Sequence, residues 1–357
     1  MTKKEKELFM QLIVPMQAKI DKSLIKYASA EVLGNIFLNR MQGTAFINLK
    51  NSGLLNSVSR EFRNSLKAGF EYNCRKNECF FKCINELEKI LKKYNIKASM
   101  LKGARLCSEY PKGCRTSNDI DLLIESKNIT ALGKALKKEG FAQGKISNGE
   151  FVPATRKEII ESKYLRGETV PYIKKTGDNF HQFFEIDLNF SLDYKNGDGN
   201  LVKKLIADSV TKQSGTERIV TLNDIDFFIH LCTHLYKEAI VLPWIKMRRD
   251  MTLYKYADIY FLLMKFTDEE IFKIFKKAKK TGLEKECAFA IIQTAELIGN
   301  KFHYAYLKAK EISSANPGLL DIVISPADKK MYSYREKDIK KRFFLKNREK
   351  NLTEIRK

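Results

Sequence analysis

Asp119 and Asp121 stand two residues apart in the segment DIDLLIES. A strand turns successive side chains to opposite faces, so both carboxylates point one way with Leu123, and Ile120, Leu122 and Ile124 point the other. Carboxylates at that spacing can hold one or two divalent ions. Hard oxygen donors suit Mg²⁺, with Mn²⁺ as the alternative, and leave room for substrate phosphates. A second strand, HQFFEIDLNFSL, presents Glu185, Asp187 and Asn189 on one face, and Asp187 is the natural third acid. Upstream, Leu101-Lys102-Gly103-Ala104 reads as a strand-to-helix turn. Gly103 lets the backbone approach a phosphate, the helix start offers N–H groups, and Lys102 or Arg105 supplies charge. Arg115, four residues before Asp119, is close enough to contact the same phosphates.

None of these features is decisive alone. An isolated Asp-x-Asp is more often a surface pair than a metal site. The order carries the weight: strand, glycine turn, short helix, Asp-x-Asp strand, helix, then a strand with a third acid. Other chemistry is excluded or weak. His230 and His234 are one helical turn apart but lack the Glu and spacing of HExxH, so no zincin is read. Taken alone they are ordinary half-buried helix residues. Arg248, in the run Lys246 to Arg249, is at most a phosphate contact. No GxGxxG and no GxxxxGK[ST] is present. The seven cysteines form no CxxC and read as reduced thiols, Cys79 and Cys83 sharing a helix face.

The 357 residues carry 65 Lys and Arg against 43 Asp and Glu, a net charge of +22. That favours an anionic partner, either nucleotide phosphates, RNA or an acidic acceptor, or else reflects a lysine-rich proteome. Hydrophobic residues at 44% and charged residues at 30% describe a globular chain. No segment reaches the roughly 18 apolar residues of a membrane span. Gln11 and Pro15 interrupt the apolar run near the start, so no signal peptide is read and a cytoplasmic protein is expected.

The elements around the acids follow from periodicity. Residues 1–56 read as irregular helix broken at Asn51-Ser52-Gly53. A long helix follows, capped by Asn56 or Ser57, with Val58, Phe62, Leu66 and Phe70 at four-residue spacing. A break is expected near Cys74, and Asn95 closes the stretch. ITALGKALKKEGF is an amphipathic helix. The stretch from Gly140 to the Asp187 strand is a polar excursion with little structural signal. Helices resume at Asn223, where Ile225, Phe228, Ile229 and Cys232 form a stripe, and recur at YADIYFLLMKF and Asp268–Ile298. The last 29 residues hold 12 Lys and Arg and 4 Asp and Glu. Tyr332, Phe343, Phe344 and Leu345 would let this basic tail fold back as a helix. The expected divisions are a helical region over 1–96, a core over 97–220, a helical domain over 221–328 and the tail over 329–357.

MLKGARLCSEYPKGCRTSNDIDLLI, EIDLNFSL and the helix FFIHLCTHLYKE together resemble the DNA polymerase β-like nucleotidyltransferase superfamily. Within it the chain is most similar to the uncharacterised nucleotidyltransferase family, group five, over roughly residues 57–265. The resemblance implies an α+β fold with a small mixed sheet flanked by helices. It implies transfer of a nucleoside monophosphate from an NTP, with Mg²⁺. By resemblance Asp119, Asp121 and Asp187 are the metal-binding and catalytic acids. Lys102, Gly103, Ala104, Arg105 and Arg115 would bind nucleotide, and His234 would meet the triphosphate or the acceptor. Two positions depart from the pattern. Ala104 stands where a serine is usual, and Asn189-Phe190 replaces a His-Trp pair.

The expected activity is therefore NMP transfer to a small-molecule or peptide acceptor, with release of pyrophosphate. The alternatives are transfer to RNA, as in tRNA-directed toxins, or an inactive core that binds RNA.

Overall fold

The computed structural model describes residues 1–15, 19–165, 167–192 and 199–355. The chain forms two compact units, one of Met1–Ile13 and Gln17–Phe227, the other of Val14–Met16 and Phe228–Lys357.

In the first unit the irregular opening resolves into α1 (Lys3–Ile13), α2 (Ala30–Leu38) and α3 (Gln42–Asn51). Next comes α4 (Arg60–Lys93), an unbroken helix of 34 residues. Its cap is Ser59, whose hydroxyl accepts the Phe62 N–H at 3.2 Å, rather than Asn56 or Ser57. No break occurs near Cys74. The apolar stripe there is interrupted by Asn73 and Asn77, both buried, and not by the end of the helix. A buried amide without partners is costly. Here Asn73 donates to the Gly113 carbonyl and Asn77 to the Arg115 carbonyl, each at 2.9 Å. Two polar residues on the buried face thus clip the loop ahead of the Asp-x-Asp strand onto α4.

The sheet is built from β1 (Ala98–Met100), β2 (Asp119–Ile124), β3 (Ala142–Ser147), β4 (Glu150–Pro153), β5 (Tyr172–Lys175), β6 (Phe183–Asn189), β7 (Val210–Ser214) and β8 (Glu217–Thr221). The order is β4-β3-β5-β6-β2-β1-β8-β7, with β2–β6 and β1–β8 parallel and the other pairs antiparallel. This mixed sheet gives the α+β architecture. Helices α5 (Gly103–Glu109), α6 (Ile129–Lys138), α7 (Arg156–Leu165) and α8 (Gly199–Ala207) punctuate it. Ile120, Leu122, Ile124, Phe184, Ile186 and Leu188 enter one core with Phe80, Ile84 and Leu87 of α4 and Leu132 and Leu136 of α6. That leaves the other face of β2 and β6 to the acids.

The stretch that reads as a featureless polar excursion holds β3, β4, α7 and β5. Its hairpin turns at Asn148-Gly149, with φ of 52° and 81° and Ser147 paired to Glu150. Two successive positive φ values are what a two-residue I′ turn requires, and Asn-Gly meets that demand cheaply.

Helix α9 (Asp224–Ala239) starts in the first unit and its remainder belongs to the second. The second unit continues with α10 (Leu242–Lys246), α11 (Leu253–Leu263), α12 (Asp268–Thr281), α13 (Glu284–Leu297) and α14 (His303–Ser314). The helical stretch expected over Asp268–Ile298 is two helices, because Gly282 at φ 70° ends α12 in the left-handed region. The basic tail is not a helix folded back. Strands β9 (Ile322–Ser325), β10 (Lys330–Tyr334) and β11 (Leu352–Glu354) form an antiparallel sheet, with α15 (Ile339–Phe343) between the last two. Arg348 anchors this segment through a bidentate pair with buried Asp250, at 2.8 and 2.7 Å. All seven cysteines are free thiols. No helix among the described residues is long and apolar enough to cross a membrane.

Candidate active site

The parallel register of β2 and β6 pairs Asp119 with Glu185, Asp121 with Asp187 and Leu123 with Asn189. Paired residues on adjacent strands share a face, so four carboxylates crowd one patch of the sheet. Burial, then the charges of Asp119, Asp121, Glu185 and Glu168, holds the Asp187 carboxyl well above the usual carboxylate range. Burial followed by Asp119 and Asp121 pushes Glu185 up to about 7. Such crowding is unfavourable without positive charge. One cation is supplied from within the chain: Lys102 Nζ lies 2.8 Å from Asp121 Oδ1. Burial works against the Lys102 ammonium, but Asp121, Asp119 and Asp187 outweigh it and hold its pKa above the usual lysine value. Asn189 Nδ2 reaches the same Asp121 oxygen at 3.4 Å.

Lys102 sits in the turn between β1 and α5 with φ 45° and ψ −116°, a backbone that favours glycine. Gly103 follows because nothing larger fits. A Cβ there would fall 2.3 Å from the Ser117 Cβ. Ser117 in turn donates its hydroxyl to Asp119 Oδ1 at 3.0 Å. The turn and the start of the acid strand are therefore in direct contact.

The helix after the turn offers less to an anion than the sequence implies. It has seven residues, and the Ala104 and Arg105 N–H groups fold back onto the Leu101 and Lys102 carbonyls at 3.2 Å. Ala104 is buried and its carbonyl accepts the Ser214 hydroxyl. Arg105 is engaged elsewhere. Its guanidinium bonds Glu109, Asp224 and the Leu222 carbonyl and lies 4.3 Å from the centre of the Phe227 ring. Arg115 is buried and donates to the Thr116 carbonyl. His234 is in the second unit, with Nε2 3.6 Å from Glu238, a carboxylate that also binds Lys255. His230 is buried one turn away, its ring stacked on His234. Arg248 lies in the second unit, exposed at φ 58°.

Residues the sequence did not single out complete the patch. Lys76 of α4 bonds the Asn118 side chain, next to Asp119. Burial and then the charge of Arg40 lower its pKa. His181, ahead of β6, is buried, and Asp119 is among the charges that reach it. Nothing local marks these side chains, because each reaches the acids through the tertiary fold.

Four carboxylates on one sheet face, two of them, Glu185 and Asp187, with raised proton affinity, match the donor chemistry of a hard divalent ion. As the side chains lie, no group of three or more His, Cys, Asp or Glu among the described residues is set to hold a metal ion. The Lys102 ammonium already bonds Asp121 Oδ1, and an incoming ion would have to displace it.

A family model described as an uncharacterised nucleotidyltransferase matches residues 32–299, extending beyond the 57–265 resemblance at both ends. No curated protein matches the chain.

Proposed function

The chain belongs to the uncharacterised nucleotidyltransferase family, and from that premise we propose that it transfers NMP from an NTP to a small-molecule or peptide acceptor, releasing pyrophosphate. The observation that carries this reading is the register that sets Asp119 and Asp121 beside Asp187, with Lys102 drawn in among them. In the proposed reaction an acceptor oxygen attacks the α-phosphorus. A new P–O bond forms, the bond to the β-phosphate oxygen breaks, and pyrophosphate leaves with the electron pair.

Asp119, Asp121 and Asp187 would hold Mg²⁺ or Mn²⁺. The bound ion supplies neutralisation of phosphate charge and eases loss of the acceptor's proton. Lys102, released from Asp121, would reach the triphosphate from the turn. Ser117 and Asn189 orient the carboxylates by hydrogen bonds to Asp119 and Asp121. Gly103 keeps the turn against the acid strand. The protein's share is positioning and charge placement, the dominant contributions in phosphoryl-type transfers. Arg105 is given no role in this reading, because its guanidinium is engaged by Glu109, Asp224, the Leu222 carbonyl and the Phe227 ring.

The test is incubation with each α-labelled NTP, Mg²⁺ and a mixture of candidate small molecules and peptides, scored for labelled product and pyrophosphate. Product with wild type and none with Asp121→Asn supports the reading. Equal product from both proteins refutes it.

A further inference from the structure

A cleft of about 430 Å³ opens between α4 and the segment from Lys174 to His181. Its apolar lining includes Phe184 and the thiols of Cys79 and Cys83, one helical turn apart. The charges around it are unevenly matched. Lys174 is paired with Glu86 at 2.7 Å. Asp178 accepts the Phe180 N–H at 2.7 Å, the His181 N–H at 3.3 Å and the Cys79 thiol at 2.9 Å. Lys82 and Lys175, both exposed, also line the cleft, and neither forms an ion pair among the described residues. Lys175, and Lys82 whose charge also reaches Asp178, are thus the ammonium groups without a direct ion pair that can meet an anion.

His181 is the second observation. It lines the cleft, is only 5% exposed, and stands edge-on to Phe80 with ring centres 5.7 Å apart. Its Nε2 has no hydrogen-bond partner among the described residues. A buried polar atom left unsatisfied costs about 1–3 kcal/mol, and at a cavity wall it marks a place for a ligand atom. The cleft lies on the α4 side of the sheet, where Phe184 points, whereas Asp119, Asp121, Glu185 and Asp187 share the opposite face of β2 and β6.

We propose that this cleft binds a small molecule carrying a carboxylate or phosphate, at a site separate from the acid face. Lys82 and Lys175 hold the anionic group, and His181 Nε2 exchanges a hydrogen bond with a polar group of the ligand. The cleft's size lies in the range of small-molecule pockets, roughly 300–1,000 Å³, and a folded RNA would not fit it. This anion site does not depend on the transferase reading above.

The experiment is calorimetric titration of the full chain at low salt, with inorganic phosphate and, separately, with succinate. The proteins are wild type, the double variant Lys82→Gln/Lys175→Gln, and Asp119→Asn. Because both lysines are exposed, the double variant should melt like wild type. The expected result is binding of one anion class, weakened at least about tenfold in the double variant and unchanged in Asp119→Asn. Phosphate alone or succinate alone identifies which group the cleft reads. No binding of either anion, or equal binding by the double variant, overturns the proposal. Competition by metal-free ATP or CTP would make the cleft the nucleotide's own site and also overturn it. Single-stranded RNA binding that the double variant weakens would overturn the small-molecule assignment. Intact anion binding with no turnover of any NTP would overturn the transferase reading alone.

Discussion

Lys102 holds its ammonium 2.8 Å from the Asp121 carboxylate while its own backbone lies at φ 45°, ψ −116°. A strained conformation has been retained at the residue that neutralises the acid face. Strain of this kind costs about 1–3 kcal/mol and persists where the surroundings enforce it.

That pairing separates backbone from charge. Lys102→Gly and Lys102→Ala both remove the ammonium, but only glycine accepts the φ. The alanine variant should be less stable than the glycine variant by about 1–2 kcal/mol. Both should lose transfer by about 10²–10³-fold. Denaturant unfolding and turnover of the two variants check this, and an alanine variant as stable as the glycine one contradicts the strain.

Asp119→Asn and Asp121→Asn should abolish transfer, by on the order of a thousandfold or more, with the fold intact. Each removes a negative charge from a face where Asp187 and Glu185 are already pushed toward protonation. Asp119→Asn should therefore melt at the same temperature as wild type or higher without divalent ions. NTP plus Mg²⁺ should raise the Tm of wild type and leave that of both variants unchanged. A variant that keeps near wild-type turnover would sink the mechanism.

His181 should make stability fall in mild acid. Burial, then the charge of Lys76, lowers its pKa to about 4 in the folded protein, against an ordinary value of 6.5. Between those values the unfolded chain binds a proton that the folded one does not. Stability is thus lost as pH falls from 6.5 toward 4, and is unaffected above that window. At pH 5 the loss is about 2 kcal/mol. Urea unfolding at pH 7 and pH 5 should show that much less pH sensitivity in His181→Phe than in wild type. An unchanged difference would show that the buried imidazole is not responsible.

The tail is a structural part of the second unit. Among the described residues, Arg348→Met leaves the buried Asp250 carboxylate only the weak Tyr334 contact at 3.4 Å, and should cost about 3–5 kcal/mol. Adding Asp250→Asn should recover part of that loss. Thermal unfolding of the single and double variants measures it. A single variant as stable as wild type would mean the pair holds nothing in place.

The shared face of Asp119, Asp121 and Asp187 in the candidate site was legible because β2 and β6 alternate acids with aliphatics in a strict period of two, which allows one orientation once either face is buried. The long helix was misread at its middle because Asn73 and Asn77 interrupt the apolar stripe, and a stripe says nothing about what a buried amide might clip. The hairpin at Asn148-Gly149 carried a readable turn signal inside a polar composition that masked it. Arg105 looked available for phosphate because charge near a glycine turn is visible and burial against Phe227 is not. Lys76 and His181 left no mark, since only the folded chain brings Lys76 to Asn118 and His181 within reach of the Asp119 charge; Ser117 is local to Asp119, but a serine two residues before an acid is too common to stand out.

The alternation along β2 and β6 leaves the protein no half-formed version of its acid patch. Sliding β6 by a single residue would send Glu185 and Asp187 into the aliphatic interior and turn Phe184, Ile186 and Leu188 outward. Misalignment and collapse are therefore one event. A purified sample that is soluble and melts cooperatively already has its carboxylates aligned, so loss of activity in such a sample points to the side chain altered and not to slippage of the sheet beneath it.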